Sequence, residues 1–113
     1  MKLDALTSKK RLSPLPLGTH EVTFLKFDWY TDKEQNVKGA WIHIEGYKPL
    51  YLNYFDDAEN FQLDFLLDQL GVDSYDPEDI NEAHGTVIKC TRYPNDEYIN
   101  TSFNPKPKTD NFA

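Results

Sequence analysis

The chain has 113 residues, of which 39% are hydrophobic and 14% aromatic, with a net charge of −7. That length suits one domain, and its apolar content suffices for a single core, which excludes wholesale disorder. The lone cysteine, Cys90, excludes an internal disulfide; with no run of about 18 apolar residues and no signal-peptide core in MKLDALTSKKRL, a cytoplasmic protein without membrane attachment is expected.

Residues 1–17 read as a flexible basic arm, with Lys2, Lys9, Lys10 and Arg11 followed by Pro14 and Pro16, which favour an extended path. Gly18 opens a first strand, GTHEVTFLKFDWYTD. Its apolar residues change phase, Val22 and Phe24 giving way to Leu25, Phe27 and Trp29, which predicts a bulge near Phe24–Leu25. After the turn KEQN, a second strand alternates Ala40, Ile42 and Ile44 inward with Trp41, His43 and Glu45 outward. A third strand, LYLNYF, points Leu50 and Leu52 inward and Tyr51 and Asn53 outward.

A helix is predicted from an N-cap at Asp56 or Asp57, with Leu63, Leu66, Leu67 and Leu70 on one stripe, Phe61 and Phe65 beside it, and Gly71 as a left-handed terminator. Asp76–Pro77 marks the N-cap and first turn of a short second helix through Ala83. Gly85 then starts a fourth strand, GTVIKCTRY, burying Ile88 and Cys90. The residues Pro94 to Glu97 turn the chain into a fifth strand, YINTSF, and residues 105–113 form a flexible tail.

This order points to an all-β class: a five-stranded OB-fold barrel over residues 18–104, with one capping helix after the third strand and the short helix before the fourth. The alternative is a half-open sheet with the helix across one face. OB-folds bind single strands on the face of strands two and three, through aromatic rings that stack bases and cations that follow the backbone. The candidate binding residues are therefore Trp41, His43 and Tyr51 on that face, and Trp29, Tyr93 and Tyr98 at the flanking loops. Lys26, Lys38, Lys89 and Arg92 are the candidate phosphate contacts.

Residues 53–85 hold ten acids and no Lys or Arg, so the remainder of the chain sums to +3. That distribution either polarises the molecule or simply solvates an exposed helix. His20, His43 and His84 keep no zinc spacing with Cys90, and neither a metal nor another cofactor is expected. No nucleophile–base pair or phosphate loop is recognisable, which argues against an enzyme.

The leucine helix ending at Leu70–Gly71, the acidic linker, Gly85 opening a hairpin, and the Gly18–His20–Val22 start of the first strand are together similar to a phage and mobile-element family of small OB-fold single-stranded DNA-binding proteins. The resemblance spans most of residues 18–104. It implies sequence-tolerant binding of single-stranded DNA in replication, recombination or DNA transfer, alongside proteins of those processes and compatibly with a homo-oligomer. The end of the chain, TDNFA, is a faint version of the acidic, Phe-terminated tip through which bacterial single-stranded DNA-binding proteins recruit partners. The competing expectation is an acidic interaction module or inhibitor that binds a host protein through residues 53–85.

Overall fold

A computed structural model describes residues 11–105 and shows a mostly β chain, with one five-stranded antiparallel sheet and two short helices. The strands are β1 (Gly18–Thr31), β2 (Val37–Ile44), β3 (Leu50–Asn53), β4 (Val87–Asn95) and β5 (Tyr98–Ser102); the helices are α1 (Phe61–Leu70) and α2 (Pro77–Asn81). The sheet order is β3-β2-β1-β4-β5. Its edges, β3 and β5, come into contact, but no ladder hydrogen bonds join them among the described residues. No described helix is long and apolar enough to cross a membrane. Lys2, Lys9, Lys10 and the end TDNFA lie outside the described residues.

The long first strand serves two partners. Residues 18–23 pair with β4 and residues 24–31 with β2. At the changeover Phe24 faces Ile44 while Lys26 faces His43, so Leu25 is an extra residue, as the phase change predicts. Leu25 itself is exposed rather than in phase with Phe27: the bulge residue is extruded so that Phe24 and Phe27 can both be fully buried. In β2 and β3, Ala40, Ile42, Ile44, Leu50 and Leu52 point into the core as expected.

Helix α1 buries Leu63, Leu66, Leu67 and Leu70 and ends at Gly71 with φ 74°, both as predicted. It begins at Phe61, later than the Asp56–Asp57 start read from the sequence. The reason lies in Asn60, whose side-chain amide binds the N–H of Phe55 at 2.9 Å and the C=O of Phe55 at 3.1 Å, closing a loop where the first helical turn would be. Phe61 is exposed, not packed beside the leucines. In α2, Asp76 accepts from the Glu78 N–H at 3.0 Å ahead of Pro77, the predicted N-cap, but the helix stops at Asn81 rather than Ala83. Pro94 belongs to β4, opposite Ile99, so the hairpin turn shrinks to Asp96–Glu97, with Asp96 at φ 56°.

Side-chain amides replace missing strand partners along the sheet. Asn81 accepts from the Phe27 N–H at 2.7 Å and donates to the Phe27 C=O at 3.2 Å, where β1 has left β4 behind. Gln69 does the same for Lys89, accepting its N–H and donating to its C=O, and also donates to the C=O of Phe103 at 2.7 Å. Gln62 accepts the Phe103 N–H at 2.6 Å. Gln62 and Gln69 lie two turns apart on one face of α1, so the helix is fixed to the sheet by polar clamps as well as by its leucines.

The arm is docked from residue 13 onward. Ser13 bridges Tyr47 in parallel and its C=O accepts the Lys48 N–H, while Leu15 is only 1% exposed. The core thus begins before Gly18. Each histidine has a local partner: Pro16 C=O for His20, Asp28 for His43 and Asn81 C=O for His84.

Two outcomes follow. Gln69→Ala removes the clamp and leaves part-buried backbone groups of Lys89 and Phe103 unpaired, which should lower the unfolding free energy by about 1–3 kcal/mol in urea denaturation. Burial pushes the Cys90 thiol up to about 11 from an ordinary 9.0, with Arg92 opposing the shift. Because the folded thiol keeps its proton longer than the unfolded one, its contribution to stability is whole below pH 9 and is lost as pH rises toward 11. A thiol reagent at pH 8 should leave Cys90 untouched in the native protein and label it on unfolding.

Candidate nucleic-acid interface

Past the bulge, β1 turns Lys26, Asp28 and Tyr30 outward. Register sets them opposite His43, Trp41 and Gly39 of β2, and β3 continues the rows with Tyr51 beside Trp41 and Asn53 beside Gly39. The result is an outer face with an aromatic centre. The Trp41 and Tyr51 rings lie 4.9 Å apart at 60°, and Tyr30 meets Tyr51 edge-on at 6.3 Å. Trp41 is 39% and Tyr30 48% exposed, so both keep ring surface available to a ligand.

Gly39 makes this arrangement possible. A Cβ at that position would run into the ring and hydroxyl of Tyr51 and would lie 2.6 Å from the Leu52 carbonyl oxygen. The Tyr51 ring therefore lies across the bare backbone of Gly39 and donates its hydroxyl to the Lys38 C=O at 3.2 Å. Lys38 is itself the extra residue where Tyr30 faces Gly39 and Thr31 faces Val37, and its C=O also accepts the Tyr54 N–H. Burial, then the neighbouring Tyr30, holds the Tyr51 phenol above its ordinary 10.0, so it remains a donor at neutral pH.

The electrostatics of this face are balanced. Asp28 sits among the rings and takes both His43 (Nε2 to Oδ2, 3.0 Å) and Lys26 (Nζ to Oδ1, 3.5 Å). Lys38 lies 3.7 Å from Asp32. The Asp32 carboxyl is held below its ordinary value, chiefly by the Asn36 N–H and against the opposing effect of desolvation; it also caps the Glu34 N–H and so shapes the β1–β2 turn. From Gly18 to Leu52 the chain carries Lys26, Lys33, Lys38 and Lys48 against Glu21, Asp28, Asp32, Glu34 and Glu45. The strands of this face are thus not basic, and the positive remainder of the charge belongs mainly to the two ends of the chain.

Other predicted residues are placed elsewhere. Trp29 is on the inner side, half-buried, with edge contacts to Phe27 at 4.8 Å, Tyr54 at 5.3 Å and Tyr75 at 6.3 Å. Tyr75 donates to Asp64 at 2.6 Å, which pushes its phenol up to about 12 and ties the linker to α1 over that indole. Lys89 is opposite Glu21 on the β1–β4 part of the sheet, seven residues along β1 from Asp28, about 23 Å of extended strand.

Tyr93, Tyr98 and Arg92 instead meet the open seam. Two adjoining clefts, of about 300 and 580 Å3, run between β3 and the β4–β5 hairpin and share Tyr51, Asn53 and Asn100. Phe55, Phe61 and Tyr93 line the first; Arg92, Tyr98 and Ile99 line the second. Tyr51 is the junction between the sheet face and both clefts. Asp28, Tyr30, Phe55 and Phe61 were not among the residues expected to bind. Asp28 and Tyr30 were legible as the outward phase of β1 after the bulge, whereas the two phenylalanines depend on the late start of α1. Comparison with known proteins finds no matching family model and no matching curated protein.

Gly39→Ala should displace the Tyr51 ring and strain β2 against β3. The expected cost is about 1–3 kcal/mol of stability, with a shifted Trp41 emission maximum in the folded variant.

Proposed function

We propose that this chain is an OB-fold protein that binds single-stranded DNA with little sequence preference, in replication, recombination or DNA transfer of a phage or mobile element. The observation that carries the reading is the Trp41–Tyr51–Tyr30 cluster, in which Trp41 and Tyr30 are exposed and Tyr51 is half-buried, continuous through Tyr51 with clefts lined by four more aromatic rings. Exposed rings on a sheet face are stacking platforms, and every base offers a face to them, so binding of this type tolerates sequence. The strand order supports the fold assignment: β3 and β5 are the edges that meet when an OB barrel closes, and such barrels are commonly left partly open. The placing of α1 after β3 agrees with it.

Asp28 tempers affinity in this reading. It pairs with Lys26 and accepts a hydrogen bond from His43 at the place where a strand would lie, and a phosphate passing there meets a carboxylate. A second reading, an acidic module for a basic protein partner, is supported by the exposure of all ten acids between residues 53 and 85.

Fluorescence anisotropy of a labelled oligo(dT) at low salt separates the two. Binding should quench Trp41, and Trp41→Ala and Tyr51→Ala should each cost about 1–3 kcal/mol of affinity. Asp28→Asn should strengthen binding. Folded protein that leaves oligo(dT) free at low salt ends the DNA reading and leaves the acidic module.

A further inference from the structure

We infer that the cleft between β3 and the β4–β5 hairpin is the phosphate-holding part of the site, with Arg92 as its counter-charge. The inference rests on the DNA reading above and assigns which cation carries its electrostatic component.

On the sheet face the cations are already matched. Lys26 meets Asp28 and Lys38 meets Asp32, so a polyanion gains little attraction there. Arg92 differs in its surroundings. Its side chain is half-buried in the cleft wall, where Nε donates to the Leu15 C=O at 3.2 Å and Nη1 donates to the Thr101 hydroxyl at 2.6 Å. Both acceptors are neutral, and no carboxylate pairs with Arg92 among the described residues. The two bonds fix the guanidinium plane and leave its remaining N–H groups for a ligand. A pre-oriented, uncompensated guanidinium suits a phosphate, which it can grip through two parallel bonds.

The rest of the second cleft fits the same occupant. Asn53, Asn95 and Asn100 line it with side-chain amides that have no partner among the described residues, and Tyr98, 73% exposed, stands at its rim. The nearest acids in sequence, Asp96 and Glu97, belong to the hairpin turn and do not line the cleft, while Glu59 lines only the first cleft. Tyr51 borders both the stacking face and this cleft, so a strand stacked on Trp41 and Tyr51 can continue into the cleft that Arg92 lines.

The salt dependence of oligo(dT) binding tests this. Each phosphate neutralised on a single strand contributes about 0.7 to the slope of log affinity against log salt. Arg92→Gln should reduce the slope by about that amount while Trp41 is still quenched at saturation, and Arg92→Lys should keep most of the slope. Because Arg92 also anchors Leu15, the unmutated protein supplies an independent measurement: the Arg92 Nε–H resonance should move when oligo(dT) is added, and less with dTMP or inorganic phosphate at equal concentration if a strand is the intended source of the phosphate. An equal response to inorganic phosphate without Trp41 quenching would make the cleft a free-anion site and overturn the assignment. Quenching with an unmoved Arg92 resonance, or with an unchanged slope in a folded Arg92→Gln protein, would overturn this inference alone. No quenching and no binding would remove the DNA reading together with it.

Discussion

The structure depends on one extra residue. Leu25 interrupts β1 so that its first part can pair with β4 and its second with β2, and it shifts the side-chain phase by one at the same point. Without that shift, the residues that follow would be inverted, because a strand's faces alternate strictly. Phe27 would leave the core and Asp28 would enter it. The bulge therefore determines both the packing of the interior and the composition of the outer face. It also bends the sheet, which brings β3 and β5 toward each other.

A strand that changes partners leaves backbone groups unpaired on each side of the change, and buried groups of this kind are costly. The chain meets this with amides of the two helices. Asn81 covers Phe27, Gln69 covers Lys89, and Gln62 with Gln69 covers Phe103. These bonds explain why such short helices hold fixed positions. Leucine burial contributes most of the attraction, about 1.5–3 kcal/mol for each side chain, but it has no direction. The amides supply the direction, and Tyr75 adds a tie from the linker to Asp64.

Much of this was legible in the sequence because periodicity reports burial directly. The alternation in β2, the leucine stripe of α1, the glycine at its end and the bulge in β1 all follow from spacing alone. What was not legible depended on side chains acting at a distance along the chain. The acids at 56 and 57 are good N-caps, yet Asn60 uses its amide to close a loop and delays the helix. The arm looked detached, yet Leu15 enters the core and Arg92 holds its carbonyl. The outward positions of Trp41, His43 and Tyr51 were readable from phase, whereas Trp29, expected at the binding surface, shares the phase of Phe27 and packs against the core. Its partners Tyr54 and Tyr75 come from other elements and could not be read. The partnership of Asp28 with Lys26 and His43 required the register, which no single strand reveals.

The distribution of charge bears on how an acidic protein could hold a polyanion. A sheet face whose cations are matched by Asp28 and Asp32 gives no strong field, so attachment there must come from ring stacking, which salt weakens little. The exposed acids from residue 53 to residue 85 belong to the helical connection and would repel a strand that strayed toward it. Between these two surfaces lies the seam, where a single guanidinium is held by neutral acceptors. The proposed DNA binding would therefore not rest on net charge: it would need a ligand that presents flat rings to Trp41 and Tyr51 and a phosphate to Arg92, which a duplex, with its bases stacked inside, does not offer.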